Sequence, residues 1–78
     1  MALETAKVWL DRRMAKAEPD VVASLKKFVD NRYMTIIDFV SYKIAQQPAR
    51  YVARVKTFEG RRFTLRYSRK RQEWHDVS

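Results

Sequence analysis

The sequence predicts an α+β fold, with two or three N-terminal helices packed on a C-terminal antiparallel β-hairpin or three-stranded meander. Apolar residues recur at three- and four-residue spacings in the first part of the 78-residue chain, which is typical of amphipathic helices. Residues 50–68 instead alternate apolar and basic side chains around the only glycine, which favours two paired strands. Hydrophobic residues make up 46% of the chain, too many for a disordered polypeptide, and the length allows one domain over residues 1–78.

A first helix is predicted over residues 3–17, because apolar residues fall on one of its sides at helical spacing. These residues are Leu3, Ala6, Leu10, Met14 and Ala17. The opposite side carries a mixture of acids and bases, which is typical of a solvated surface.

A second helix is predicted over residues 19–30. Pro19 suits the first helical turn, and the carboxylate of Asp20 complements the positive end of the helix dipole. The apolar stripe of this helix consists of Val21, Val22, Leu25, Phe28 and Val29. Polar residues 30–32 end it.

Residues 33–47 are ambiguous between helix and strand. Thr35 and Asp38 have the spacing of a weak capping box, and apolar residues fit a helix face, so we predict a third helix. The same segment is rich in β-branched and aromatic residues, which favour a strand, and a short apolar run does not distinguish the two. Pro48 ends the segment in either case.

A β-hairpin is predicted over residues 50–68, with Phe58, Glu59 and Gly60 as a three-residue loop. Gly60 then takes the left-handed conformation that such a loop requires. The apolar face contains the opposed pairs Tyr51 and Tyr67, Ala53 and Leu65, and Val55 and Phe63; the other face contains Val52 and Arg66, Arg54 and Thr64, and Lys56 and Arg62. A two-residue loop would mix basic and apolar side chains on one face, which argues against that register.

A short third strand is predicted over residues 72–77. It follows a polar, basic link at residues 68–71. We expect Trp74 to anchor this strand in the apolar face beside Tyr67 or Phe63, because burial of so large a ring contributes strongly in a small domain.

Positive charge is concentrated in the C-terminal part of the chain. The net charge is +8, and residues 49–78 contain nine Lys or Arg against three acids, whereas residues 1–48 contain eight against six. Like charges that face each other across a β-ladder are mildly destabilising, so a basic sheet face indicates an anionic partner. A plain solvated outer face is the alternative interpretation.

The predicted site is a nucleic-acid-binding surface that contacts the backbone of DNA or RNA. Arginine forks and lysine ammonium groups bind phosphates, and the resulting affinity falls with salt. The predicted contact residues are Arg54, Lys56, Arg62 and Arg66 on the hairpin, Arg69, Lys70 and Arg71 after it, and Phe58 at the tip of the basic face as a base-stacking residue.

Three helices followed by a hairpin is also the element order of a winged-helix DNA-binding domain. Residues 35–45 are mostly apolar, however, whereas a recognition helix presents polar side chains to the groove. We therefore expect the hairpin to be the contact element. The main alternative function is an adaptor or inhibitor that binds an acidic protein, with a homodimer as one form of it. A metal-independent ribonuclease of the small basic toxin type is a minor alternative.

No catalytic residues, cofactor site or metal site are predicted. The chain has no cysteine and a single histidine, His75, and one glycine does not build a phosphate-binding loop. We expect a binding protein rather than an enzyme. No apolar run reaches the length of a membrane span or a secretory signal, so we expect no membrane partner and a cytoplasmic or nucleoid-associated location.

Overall fold

The computed structural model describes residues 6–78, and this part of the chain forms two helices followed by a four-stranded antiparallel sheet. The helices are α1 (Ala6–Ala15) and α2 (Pro19–Asn31). The strands are β1 (Met34–Tyr42), β2 (Arg50–Thr57), β3 (Arg62–Ser68) and β4 (Glu73–Asp76), and they lie in the sheet in that order. The predicted α+β class is confirmed. Neither helix of the described part is long and apolar enough to cross a membrane.

Both predicted helices are present. Helix α1 ends at Ala15, two residues earlier than predicted, and the predicted start at Leu3 lies outside the described residues. Its stripe is buried at Leu10 and Met14, and Ala17 is buried just beyond the helix. Helix α2 begins at Pro19, as predicted, and ends one residue later than expected. Its stripe is buried at Val21, Leu25 and Val29, with Val22 and Phe28 packed at the margin of the core.

The predicted helix over residues 33–47 is wrong, because strand β1 occupies most of this segment. Strand β1 pairs with β2 from Met34 opposite Thr57 to Tyr42 opposite Arg50. The β-branched and aromatic content of the segment therefore prevails over its weak capping pattern, since β2 offers a hydrogen-bonding partner along its whole length. The described chain thus has four strands instead of two or three, and the winged-helix order loses its third helix.

The predicted hairpin register is confirmed. On the inner face Val55 lies opposite Phe63 and Ala53 opposite Leu65. The outer-face pairs are also as predicted: Val52 with Arg66, Arg54 with Thr64, and Lys56 with Arg62. The Thr57 amide donates to the Arg61 carbonyl at 2.8 Å, and the Gly60 amide donates to the Thr57 carbonyl at 3.0 Å, which leaves a three-residue loop between them. Gly60 has φ +90°, a left-handed value that glycine adopts without steric cost.

The core lies between the two helices and the inner face of the sheet, which we define by Phe39, Tyr51, Ala53, Val55, Leu65 and Trp74. Trp74 is the anchor that the sequence predicted. It is buried, its ring centroid lies 5.5 Å from that of Tyr67, and its indole N–H donates to the Val21 carbonyl at 3.1 Å. This bond satisfies the polar edge of a buried indole and joins β4 to α2.

Candidate functional site

The outer face of the sheet carries the predicted hairpin cations. Arg54, Lys56, Arg62 and Arg66 alternate with the buried inner residues, and all four side chains are exposed. We call these four residues the basic face. The alternation of β2 and β3 therefore places the core and the cations on opposite sides of the same two strands.

Like charges are close together on the basic face. Lys56 lies directly opposite Arg62, and Arg66 lies opposite Val52 one ladder step beyond Arg54. Opposed residues of antiparallel strands have Cα atoms about 4.5 to 5.5 Å apart, so the cationic groups are near neighbours. Among residues 6–78, the structure gives none of these four side chains an ion pair.

The acid that lies nearest in register is directed away from the basic face. Asp38 is opposite Arg54, but a register shift in β1 falls between Ile36 and Asp38. The Asp38 carboxylate accepts hydrogen bonds from Arg13 at 3.3 Å and from the Phe39 amide at 2.8 Å. A bulge re-aims a side chain in this way. The charge of Asp38 is therefore used to hold α1 against the edge of the sheet.

The structure places Arg69 on the helix side of the sheet, apart from the basic face. Its guanidinium binds both carboxylate oxygens of Glu18, one of them at 3.2 Å, and its Nε donates to the Ala49 carbonyl at 3.1 Å. The Tyr51 hydroxyl donates to the same carboxylate at 2.8 Å. These hydrogen bonds, that from Arg69 first, lower the pKa of Glu18 to about 2.

The hydrogen bond with Glu18 raises the pKa of Arg69, while burial is the main cause of the raised pKa of Tyr51. A two-pronged arginine–carboxylate contact is both directional and strong. Arg69 is thus occupied in linking the turn after β3 to the segment between α1 and α2.

Lys70 and Arg71 extend into solvent from the turn between β3 and β4. Neither side chain has a hydrogen bond or an ion pair among the described residues. They remain available to an anion beyond the Arg66 end of the basic face. The basic run at residues 69–71 is therefore divided by the structure, since its first member is paired and the next two are not.

Phe58 lies at the hairpin tip and is 97% exposed. It borders a shallow depression at the end of the sheet, together with the inner-face positions Thr57 and Phe63. The sequence placed Phe58 on the basic face, whereas this depression faces the helix side of the tip. Tyr33, which is not among the predicted nucleic-acid-contact residues, borders the same depression and is 86% exposed.

His75 lies opposite Arg66 on β4 and is exposed. Within residues 6–78, no group of three His, Cys, Asp or Glu side chains is placed to hold a metal ion. His75 thus borders the basic face as a polar neighbour of Arg66.

Comparison of the sequence with models of protein families gave no match, and comparisons with curated proteins and with solved structures gave no significant match.

Proposed function

We propose that this protein binds nucleic acid, with the basic face of the sheet in contact with backbone phosphates. The observation that supports the proposal is the contrast between two sets of cations. Arg13 and Arg69 each have a carboxylate partner, whereas Arg54, Lys56, Arg62 and Arg66 are exposed without one among the described residues. Phosphates supply the negative charge that this arrangement lacks.

The cross-strand pair of Lys56 and Arg62 supports the same proposal, because it lowers the stability of the free protein. Like charges that face each other on a sheet repel, and they reduce stability by a few tenths of a kcal/mol. A bound anion relieves this repulsion, so the pair is unfavourable in the free protein and favourable in the complex. Neutralised phosphates release counterions, and the affinity therefore falls steeply as salt rises.

Three further exposed cations extend the surface beyond the Arg66 end of the basic face. Lys70 and Arg71 lie beyond the Arg66 end of the basic face, in the β3–β4 turn. Arg50 is exposed on the outer face at the same end of β2, where its guanidinium donates to the Gln47 side chain at 2.9 Å. A phosphate backbone that crosses the sheet from the hairpin tip would meet these residues last. The contacts are with charge and not with base edges, so the proposal does not distinguish DNA from RNA.

A second candidate function is binding of an acidic protein, or self-association. It is favoured by apolar side chains exposed at and just beyond the end of β1, namely Val40, Tyr42 and Ile44. A protein interface combines such apolar contacts with arginine, and an acidic partner would use the same basic face. Nucleic acid is preferred because the cations cover the two central strands, whereas these apolar residues lie at one edge.

The deciding experiment is a fluorescence-anisotropy titration of single-stranded DNA, RNA and duplex DNA at low and moderate salt. The test variant is Arg54→Glu/Arg66→Glu, and the control is Lys26→Glu/Lys27→Glu on the exposed side of α2, which changes the net charge equally. We expect salt-sensitive binding that the test variant loses and the control largely keeps. Equal losses in both variants would indicate attraction by net charge alone. No binding to any of the three ligands would favour the protein partner.

A further inference from the structure

Two exposed aromatic rings border one depression at the tip end of the sheet. Tyr33 follows α2 and Phe58 is in the β2–β3 loop, so residues distant in the sequence line the same depression. They are the most exposed large hydrophobic side chains in the described part of the chain, at 86% and 97%. Single exposed aromatics are ordinary, but two that share a concave surface indicate a site that binds a flat, apolar group.

The backbone conformation at Tyr33 is unfavourable for a tyrosine, so fold stability does not explain the exposed ring at this position. Helix α2 ends there, with the Arg32 and Tyr33 amides donating to the Val29 and Asp30 carbonyls at 3.2 and 3.3 Å. Tyr33 has φ +54°, the left-handed conformation that follows many helices and that strongly favours glycine. A tyrosine here is strained, and its exposed ring gains little packing in return. Strain of this kind without a packing benefit points to function.

Arginines accompany the two rings. Arg32 and Arg61 border the same depression, and Glu59 in the hairpin loop is the acid among its lining residues. The Arg32 guanidinium stacks 3.7 Å from the centroid of Phe28 and donates to the Phe28 carbonyl at 3.3 Å, which holds it in place. The site therefore combines flat apolar surfaces with positive charge, the two features that a nucleotide requires.

The basic face has no ring of its own at its centre. The outer positions at which β2 and β3 pair with each other are Val52, Arg54, Lys56, Arg62, Thr64 and Arg66. These positions can contact phosphates but offer no aromatic ring for a base, and Tyr42 on the edge strand β1 lies opposite Arg50, at the end of the sheet away from the tip. The pair formed by Lys56 and Arg62 is the part of the basic face nearest to the tip, so a backbone that lies on the face reaches Tyr33 and Phe58 by passing round the hairpin tip to its helix side.

We infer that the preferred ligand is single-stranded nucleic acid, with phosphates on the basic face and an unpaired base stacked on Tyr33 and Phe58. In a duplex the bases are already paired and stacked, so these rings gain a base only from a single strand or an unpaired end. The inference rests on the proposed function, because it assigns the phosphates to the same basic face. DNA and RNA share the base and phosphate chemistry that the site recognises.

The test uses unstructured single strands of DNA and of RNA that contain 2-aminopurine, a fluorescent base that is quenched when it stacks, and a matched duplex. The variants are Tyr33→Gly, Phe58→Ala and their combination. The control is Ala45→Gly, since Ala45 has φ +53° in the β1–β2 connection, at the other end of the sheet, and the exchange relieves similar strain far from the tip. We expect each aromatic variant to weaken single-strand binding by about tenfold, to reduce quenching, and to leave duplex binding unchanged.

Thermal unfolding separates this loss from misfolding. Tyr33→Gly should leave Tm equal or higher, as should Ala45→Gly, because glycine adopts the left-handed conformation freely. The stacking site would be overturned, and the phosphate surface retained, by the following result. Single-stranded nucleic acid binds no more tightly than the duplex, the aromatic variants do not change this binding, and Arg54→Glu/Arg66→Glu abolishes it. Absence of binding to all ligands would overturn both proposals.

Discussion

Glu18 and Arg69 form an ion pair that joins the segment between the two helices to the turn between β3 and β4, across 51 residues of sequence. The Tyr51 hydroxyl and the Ala49 carbonyl complete the cluster from β2 and the residue before it. The helices and the far end of the sheet are therefore held together by charge as well as by the apolar core.

Acid should weaken the fold through Glu18. The pKa of Glu18 is lowered from 4.5 to about 2 in the folded protein, so folding favours the ionised carboxylate. Its contribution is complete above about pH 4.5 and is lost as the pH falls towards 2. We expect Glu18→Gln to lower the midpoint of urea unfolding at pH 7, and the difference from the parent protein to shrink steadily below pH 4.5.

The control is Glu59→Gln, which removes an exposed loop carboxylate that has no ion pair among the described residues. Glu59→Gln should change the midpoint of urea unfolding little, both at pH 7 and below pH 4.5. A Glu18→Gln difference that stayed constant from pH 7 to pH 2 would show that the carboxylate charge is not what stabilises the cluster.

Substitution of Arg69 should affect mainly stability, whereas substitution of Arg71 should affect mainly nucleic-acid binding, although the two residues are only two positions apart. Arg69→Ala leaves Glu18 and the Ala49 carbonyl without their arginine partner, so we expect lower Tm and a small effect on nucleic-acid affinity. Arg71→Ala removes an exposed and unpaired cation, so we expect unchanged Tm and a several-fold loss of affinity with a shallower salt dependence. Tm and anisotropy measured on both variants check this. A reversed pattern would mean that the ion pair opens to let Arg69 bind phosphate.

Most of the hairpin could be predicted from the sequence because its information is local. The alternation of side chains and the single glycine fix which residues face the core, and Gly60 has the left-handed φ that the three-residue loop requires. The start of α2 could also be predicted, because Pro19 suits only a few helical positions. Trp74 was found because a ring of that size in a strand pattern is rarely left exposed.

The errors arose where a long-range contact decides the outcome. Residues 33–47 fit both the helical and the strand periodicity, and the pairing with β2 makes most of them a strand. Arg69 looked like its basic neighbours because its partner, Glu18, lies at the other end of the sequence. Tyr33 was left out of the predicted nucleic-acid surface, although a bulky residue instead of glycine or asparagine at a helix end was a signal.

Substitution by aspartate at adjacent positions of β3 should separate the two faces of the sheet. Leu65 is 1% exposed and Thr64 lies beside it on the outer face. Leu65→Asp places a carboxylate in the core and should cost about 3 kcal/mol or more, enough to unfold a marginal domain. Thr64→Asp should remain folded and weaken anion binding. Circular dichroism and anisotropy test the pair, and a folded Leu65→Asp protein would contradict the assignment of the inner face.

Exchange of one charge on the basic face should raise stability while it reduces binding. Lys56 and Arg62 lie directly opposite each other, so Arg62→Glu converts a repulsive pair into an attractive one and should add roughly 0.5 kcal/mol to the free energy of unfolding at low salt. The same change removes a phosphate contact and introduces repulsion, so nucleic-acid affinity should fall at least several-fold. The double variant Lys56→Glu/Arg62→Glu restores like charges, and it should lose the added stability without regaining affinity. If Arg62→Glu neither stabilised the fold nor weakened binding, these cations would be a solvated surface without a partner.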